Sequence, residues 1–511
     1  MDASATARGV RGQPALLEHP GQLAEALADL GADLDELLFL CRNGKAELAE
    51  ARLELEAGAL HAPTRELLLG QLAATEARYR SSIERLRRLR ELTQGGPATP
   101  SLVDELAAER TSLADRLRVE QGLMAALVGA ADWQSPSFGH STAPATGRQN
   151  GRIRPRWNDY KRDRHLDAEA FERRFVAAMV DGPGDPRALL TSCGMAAFTT
   201  VFQFLSMEGR LHGPVIAGAG LYHESRLLLE RALPGRVHTV DEADTLALLR
   251  TVDRLCPGAV FLDSLSNTKW MPIPELAAVI EHLRGAETYL VIDNTGLSAS
   301  CQPFAIAGEE TRLIVFESLL KYAQLGLDRA NAGVIVASCA DAASMSFYRE
   351  HLGTNVADVA VHALPRPDRA VLARRLARLQ RNALWLAGRL EGEAGQAVEI
   401  VYPGLASHPC ARGAHRLAFR GGCLSVVFRD PDPELRREHA LVEAAVVEAA
   451  ARGVAVLAGS SFGFNTTRIY LTADRAEQGE PFVRVAVGTE HRLELARLGA
   501  VLASAIRGVA R

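Results

Sequence analysis

The sequence predicts an α/β protein with three parts: an all-α N-terminal extension, a large domain with a mostly parallel sheet, and a smaller α+β C-terminal domain. The extension covers residues 1–132, and leucines there recur at helical spacing. In residues 157–368, helical stretches alternate with short apolar runs, a pattern typical of parallel sheets covered by helices. Residues 369–511 combine long helical stretches with strand-like runs, which indicates the smaller domain.

The extension is predicted to form amphipathic helices between residues 21 and 131. Pro63 and the sequence from Gly95 to Pro97 are start and stop signals, and Ser101 is a capping residue for a further helix. Such helices suit a bundle or coiled coil. We expect a structural or oligomerising role, with partner binding or substrate gating as the alternative. Residues 133–156 are rich in Ser, Pro, Gly and Thr and are predicted to form a linker.

Apolar runs and helical periodicity predict the elements of the two remaining domains. Strands of the large domain are expected at residues 215–216, 259–262, 289–292, 313–316 and 333–336. In the smaller domain, helices are expected at residues 369–391, 434–452 and 492–507, and strands at 424–428, 454–457, 468–471 and 483–487.

Bulk properties exclude several classes of function. A net charge of −4 offers no electrostatic attraction to nucleic acid or to an anionic membrane. No apolar run approaches the ~18 residues that a membrane span needs. The seven cysteines are scattered, which predicts free thiols and a cytoplasmic protein. They form no Cys-x-x-Cys pair or Cys/His cluster, so we expect no metal site.

Two strand ends carry the clearest chemical signal. The apolar run 313–316 is followed by Ser318 and Lys321, and the apolar run 289–292 ends in Asp293, 28 residues before Lys321. A lysine and an aspartate on adjacent strand ends are what pyridoxal 5'-phosphate (PLP) requires. The lysine forms a Schiff base, and the carboxylate keeps the pyridinium nitrogen protonated. The sequence therefore predicts a PLP site with Lys321 as its nucleophile.

From about Tyr160 onward, the chain resembles the PLP-dependent Cys/Met metabolism enzymes, which include cystathionine gamma-synthase and methionine gamma-lyase. The resemblance implies PLP fold type I, the fold of aspartate aminotransferase, for the large domain. It rests on motifs in the family's order: Tyr160-Lys-Arg162, Ser192-Cys-Gly-Met-Ala-Ala197, Tyr222, Asp263-Ser-Leu-Ser-Asn267, Asp293-Asn-Thr295, Ser318-Leu-Leu-Lys-Tyr322, Tyr402-Pro-Gly-Leu-Ala-Ser-His-Pro409 and Val483-Arg-Val-Ala-Val-Gly488.

The resemblance assigns a role to each matching residue. The cofactor phosphate is expected to contact Cys193, Gly194, Met195 and Ser318, and also Tyr160 and Arg162 of a neighbouring subunit. This implies a homodimer or homotetramer with shared active sites. Tyr222 is expected to stack on the cofactor ring and to serve in acid/base catalysis, and Asn267 to bind the ring hydroxyl. Arg484 is expected to bind the substrate carboxylate.

The implied reaction acts on an L-amino acid with a leaving group on Cγ. Quinonoid and vinylglycine-type intermediates lead to γ-elimination or γ-replacement. The loop after Lys321 and the segment from Gly459 to Asn465 depart from the family pattern. These departures suggest an unusual substrate in specialised metabolism, with S-adenosylmethionine as one candidate. The alternatives are a PLP-dependent C–S β-lyase and a non-catalytic assembly protein that works through its N-terminal helices.

Overall fold

The computed structural model describes residues 20–57, 62–95, 97–132, 165–430, 432–472 and 480–509. These residues form a helical extension, a seven-stranded sheet and a five-stranded sheet. This is the α/β architecture that the sequence predicts. None of the described helices is long and apolar enough to cross a membrane. All seven cysteines lie among the described residues and are free thiols, as predicted.

The extension contains three long helices: α1 (Pro20–Ala57), α2 (Ala62–Gly95) and α3 (Pro100–Asp132). The leucines of α1 at positions 23, 27, 30, 34, 37 and 38 are buried as the spacing predicts, and Leu27 and Leu30 pack with Leu106 of α3. The same cluster includes Leu493, which lies near the C-terminus of the chain. The extension therefore packs against the rest of the protein. The predicted linker at residues 133–156 lies outside the described residues.

The large sheet contains β1 (Arg187–Thr191), β2 (Val215–Gly218), β3 (Val237–Val240), β4 (Ala259–Asp263), β5 (Tyr289–Asp293), β6 (Leu313–Ser318) and β7 (Gly333–Ala337). Its order is β1-β7-β6-β5-β4-β2-β3. The strands β3, β2, β4, β5 and β6 run parallel, and β7 pairs antiparallel with both β6 and β1. The sequence predicts five of these strands but misses β1 and β3. The edge strand β3 is only partly buried and therefore lacks an apolar run.

Helices cover both faces of this sheet. They are α4 (Leu166–Met179), α5 (Gly194–Met207), α6 (His223–Ala232), α7 (Thr245–Leu255), α8 (Leu276–His282), α9 (Pro303–Ile306), α10 (Cys339–Leu352) and α11 (Asp358–Ala363). On one face, Phe198 of α5 packs against Phe261 and Phe316 of the sheet. On the other face, Leu248 of α7 and Val279 of α8 share a buried cluster with sheet residues. Burial on both faces explains the continuously apolar strands.

The C-terminal part contains α12 (Arg369–Glu393), β8 (Val398–Val401), α13 (Ala411–Ala414), β9 (Cys423–Phe428), α14 (Arg436–Ala451), β10 (Leu457–Ala458), β11 (Arg468–Thr472), β12 (Phe482–Ala486) and α15 (Arg492–Val509). The sheet order is β10-β11-β12-β9-β8. The strand predicted at 454–457 is wrong except for Leu457, because Val454 and Val456 are buried without pairing in a described strand. The predicted domain boundaries at 157, 368 and 369 stay predictions.

Three arginines of α12 connect this part to helix α1 of the extension. Arg375 donates to Glu36 at 2.6 Å, and Arg378 and Arg381 each lie 2.7 Å from Asp29. Arg375 and Asp29 are both almost fully buried. Because buried ion pairs require close and complementary geometry, these contacts fix the position of α1 against α12.

Candidate active site

A cavity of about 1210 Å³ lies at the carboxyl ends of β4, β5 and β6. This is the edge of an open α/β sheet at which ligands commonly bind. Nine of the predicted site residues line it: Cys193, Gly194, Met195, Tyr222, Asn267, Asp293, Ser318, Lys321 and Arg484. The two others, Tyr160 and Arg162, lie outside the described residues.

Lys321 follows β6 by three residues, in the turn that connects this strand to the loop before β7. Its Nζ donates a hydrogen bond to Ser461 Oγ at 2.6 Å and lies 5.2 Å from the ring centroid of Phe462. Burial lowers the pKa of Lys321 because it disfavours the ammonium form. A lysine with a lowered pKa is more readily the neutral amine that attacks a carbonyl carbon.

Asp293 ends β5, next to the strand that leads to Lys321. Its Oδ1 accepts a hydrogen bond from the backbone N–H of Thr295 at 2.9 Å, and Thr295 Oγ1 accepts one from the N–H of Ser318 at 2.9 Å. Thr295 thus links the two strand ends. Burial raises the pKa of Asp293, and a cationic ring nitrogen beside this carboxylate would lower the pKa again.

Two further carboxyl groups lie behind Asp293. Asp263 ends β4 in register with Asp293, and its Oδ1 is buried without a hydrogen-bond partner in the described part of the chain. Burial and the charges of Asp293 and Glu242 raise the pKa of Asp263 well above its usual range. Glu242 accepts hydrogen bonds from the N–H of Gly220 at 2.9 and 3.1 Å. A cationic group beside these carboxyl groups would favour their charged forms and lower their pKa values.

The N-terminus of α5 provides a cradle for an anion. Cys193 caps the helix, and its Sγ accepts a hydrogen bond from the N–H of Ala196 at 3.3 Å. A Cβ atom built on Gly194 would lie 2.8 Å from the Cβ of Ser318, so only glycine lets the two segments approach this closely. Free N–H groups of a first helical turn and the Ser318 hydroxyl are suitable donors to a phosphate. The residues therefore fit the phosphate of PLP.

Tyr222 lies between β2 and α6, directly before the first residue of α6. Burial and the nearby charge of Glu224 raise the pKa of the Tyr222 hydroxyl above its usual range. The phenol is therefore protonated at neutral pH and can donate a proton or a hydrogen bond within the cavity.

Arg484 and Asn267 contact each other across the cavity. Arg484 lies on β12 and is only 1% exposed. Its Nη1 donates to the Asn267 side-chain oxygen, and its Nη2 donates to the Asn267 backbone oxygen at 2.7 Å. Its buried Nε has no hydrogen-bond partner among the described residues. The sequence assigned the two residues separate roles and did not predict this contact, which joins positions 217 residues apart.

The sequence did not predict roles for Thr295, Glu242 and Ser461. Thr295 and Asp263 lie inside the matched motifs but received no role. Ser461 lies in the segment from Gly459 to Asn465, whose departure from the family pattern was the available signal. Glu242 gave no signal, because a single glutamate after a short strand is an ordinary surface residue in sequence.

Comparison with known proteins links this geometry to a family. The family model for the Cys/Met metabolism PLP-dependent enzyme matches residues 127–497. The bifunctional enzyme flvA of Aspergillus flavus is 26% identical over 340 residues, which are 65% of this chain. The chain spans 41% of that relative's length.

Solved structures share the fold. Cystathionine gamma synthase from Xanthomonas oryzae pv. oryzae, in complex with cystathionine, has a TM-score of 0.56 and 22% identity, covering 70% of this chain and 90% of its own. The metB protein of Corynebacterium glutamicum has a TM-score of 0.56 and 19% identity, with 68% and 87% covered. The family match covers most of the chain and includes all nine predicted site residues that line the cavity. The chain therefore belongs to the Cys/Met metabolism PLP-dependent enzymes, and its cofactor is PLP.

Proposed function

We propose that the chain catalyses γ-elimination or γ-replacement on an L-amino acid with a leaving group on Cγ. The observation that carries this proposal is the position of Lys321 and Asp293 beside adjacent ends of β6 and β5, with the N-terminus of α5 in the same cavity. The resemblance to cystathionine gamma synthase structures supports the same reaction class. When bound, PLP draws electrons away from the substrate Cα.

Lys321 is the proposed acid/base group at Cα and Cβ. Its lowered pKa lets the free amine accept a proton from carbon, and the hydrogen bond to Ser461 orients its Nζ. Tyr222 is the proposed proton donor to the departing Cγ substituent, because its raised pKa keeps the phenol protonated.

Arg484 is the proposed anchor of the substrate α-carboxylate. Each Nη atom uses one N–H on Asn267, and Nε has no hydrogen-bond partner among the described residues, so the guanidinium keeps donors for a carboxylate oxygen. Asn267, held by Arg484, is the proposed partner of the cofactor ring hydroxyl. One buried arginine would then orient both the cofactor and the substrate.

The cavity favours a large substrate that carries positive charge. Its volume of about 1210 Å³ exceeds what a small amino acid occupies beside a cofactor. Carboxylates of Glu224, Asp241 and Glu242 line it. A sulfonium such as S-adenosylmethionine has a suitable charge and an excellent Cγ leaving group. We propose it as a candidate, with a role in specialised metabolism.

We also propose a homodimer or homotetramer in the cytoplasm, in which Tyr160 and Arg162 bind the phosphate of a neighbouring subunit's cofactor. Light scattering on the purified protein measures the oligomer size. Mixing a Lys321→Ala variant with an Arg162→Ala variant tests the sharing of sites, because hybrid oligomers would regain activity only if the residues act between subunits.

The first test is the visible absorption of the purified protein beside its Lys321→Ala variant. We expect a lysine–PLP Schiff base band in the wild type, its loss in the variant, and a fall in turnover of about 10³-fold. Product analysis then identifies the bond that breaks. 2-Oxobutanoate or a new bond at Cγ supports γ chemistry, whereas pyruvate would identify a C–S β-lyase. A protein that stays colourless with added PLP contradicts the proposal.

A further inference from the structure

The segment from Ser460 to Asn465 covers Lys321. Ser461 accepts the hydrogen bond from Lys321 Nζ at 2.6 Å and adopts a φ of +75°, a conformation that is strained for residues other than glycine. A Cβ atom built on Gly463 would lie 2.9 Å from the Lys321 carbonyl carbon. The segment therefore contacts both the backbone and the side chain of Lys321, and its position determines the position of Nζ.

Arg375 of α12 holds this segment from the side opposite the cavity. Its Nη2 donates to the Gly463 carbonyl oxygen at 2.9 Å and to the Asn465 side-chain oxygen at 2.8 Å. The Arg375 side chain is only 1% exposed. Two hydrogen bonds from one planar group fix both the distance and the orientation of the segment.

Glu36 of the N-terminal extension binds the other end of the same guanidinium. Its Oε1 accepts from Arg375 Nη1 at 2.6 Å, and its side chain is 16% exposed. The two residues lie 339 positions apart in the chain. A buried guanidinium needs a carboxylate in a defined place, and Glu36 supplies it. A continuous set of contacts therefore runs from α1 to the Lys321 amine.

We propose that Arg375 and Glu36 are positioning residues for Lys321, and that helix α1 is consequently part of the active-site framework. This inference rests on the proposed function of Lys321 as the PLP-binding lysine. The Ser461 hydroxyl accepts a hydrogen bond from Nζ and so stabilises the protonated form of the nitrogen. Loosening the segment would weaken that bond, and with PLP bound to Lys321 it would lower the pKa of the Schiff base nitrogen.

The test compares Glu36→Gln with Glu47→Gln in the full-length holoenzyme. Glu47 is a matched control: it also lies on α1, is 15% exposed and binds an arginine of the main body, Arg366, at 2.8 Å. Arg366 makes no described contact with the segment over Lys321. For Glu36→Gln we expect a Schiff base pKa lower by about half a unit or more, and a PLP dissociation constant about fivefold higher. For Glu47→Gln both quantities stay at the wild-type value.

Two further variants connect the effect to Lys321. Ser461→Ala is expected to reproduce the lower Schiff base pKa, and adding Glu36→Gln to it is expected to cause no further shift, because both act through one hydrogen bond. Equal pKa values in Glu36→Gln and the wild type, with the Lys321→Ala variant colourless, would overturn this inference and leave the proposed function intact. A Lys321→Ala variant with an unchanged spectrum would instead overturn the proposed function.

Discussion

The two sides of the cavity are built in different ways. The side formed by the large sheet carries Gly194, Asp293, Ser318 and Lys321, and its links are short. Thr295 bonds Asp293, which is two residues away, and Ser318, which is 23 residues away. The opposite side depends on Arg484, which reaches a residue 217 positions away. Strand ends and a helix N-terminus thus form the side at which we propose that PLP binds, the cofactor side, and buried arginines hold the opposite side in place.

Because of this difference, substitutions on the two sides of the cavity should have different consequences. The cofactor side is held by the backbone hydrogen bonds of the parallel sheet, which form whenever the protein folds. The opposite side depends on buried charges, whose desolvation offsets much of their mutual attraction. Substitutions on the opposite side should therefore mainly change substrate turnover, and substitutions on the cofactor side should mainly change PLP binding.

Among substitutions other than that of Lys321, the largest effect is expected from the pair of Arg484 and Asn267. Arg484→Gln and Asn267→Ala should each lower kcat/KM by about 100-fold. Arg484→Gln removes the proposed anchor of the substrate carboxylate, and Asn267→Ala leaves the buried Arg484 without its side-chain partner. If they form one unit, the double variant is little worse than either single variant, with a coupling energy of about 1–3 kcal/mol. Steady-state kinetics of the four proteins measures this coupling.

The control is Arg429→Gln, which removes an exposed arginine directly after β9 of the same small sheet. Its kcat/KM should equal that of the wild type. Additive losses for Arg484→Gln and Asn267→Ala would mean that the two residues act separately, one on the cofactor and one on the substrate, and that the contact between them has no functional role.

A smaller effect is expected on the cofactor side from Gly194→Ala. The new Cβ would lie 2.8 Å from the Cβ of Ser318 and would push α5 away from β6. We expect PLP binding to weaken about tenfold and the free energy of unfolding to fall by about 1–3 kcal/mol. Fluorescence titration with PLP and thermal unfolding measure the two changes.

Gly388→Ala is the matched control for this variant. Gly388 lies within α12, and a Cβ atom built there would meet nothing within 4 Å. Its alanine variant should bind PLP normally and unfold at the same or a higher temperature, because alanine favours helices. If Gly194→Ala also bound PLP normally, the close approach of α5 and β6 would have no part in the cradle.

The sequence predicted the cofactor side much better than the opposite side. Lys321, Asp293 and Ser318 follow buried apolar runs, so a local pattern was enough to locate them at one sheet edge. Arg375 lies in a helix rich in arginines, and no local pattern distinguishes it from its exposed neighbours. The contact between Glu36 and Arg375 depends on how α1 packs, which periodicity alone does not specify.

The prediction of secondary structure also depended on local apolar patterns. Apolar runs predicted the buried central strands, and the misses were β1, β3 and β8. The partly exposed β3 carries His238 and Thr239, which interrupt the apolar signal. At Val454 and Val456 the sequence predicted a strand that the structure does not form. Their side chains enter the core from a segment that pairs with no described strand.

The smallest expected effect is a change of stability with pH, which differs in direction between Glu36 and Glu47 of α1. Burial raises the pKa of Glu36 to about 7, against the attraction of Arg375 and Arg110 and with the repulsion of Asp33. The folded state therefore holds a proton that the unfolded chain releases near its ordinary value of 4.5. The contribution of Glu36 to stability is accordingly lost as the pH rises from about 4.5 to about 7.

The pKa of Glu47 shifts in the opposite direction. Burial alone would raise its pKa, but its hydrogen bond with His362 and the charge of Arg366 outweigh burial and lower it. Its contribution to stability is present above its ordinary pKa and is lost as the pH falls through the lowered value.

At about pH 8, Glu47→Gln should therefore unfold more readily than the wild type, by about 1 kcal/mol. Glu36→Gln should be at least as stable as the wild type there, and its advantage should disappear below about pH 4.5. Chemical denaturation of both apoproteins across this pH range measures the difference. A Glu36→Gln variant that is less stable than the wild type at about pH 8 would show that Glu36 is retained for the fold. An equally or more stable variant with weakened PLP binding would show that this carboxylate is retained to position Lys321, at a cost to stability.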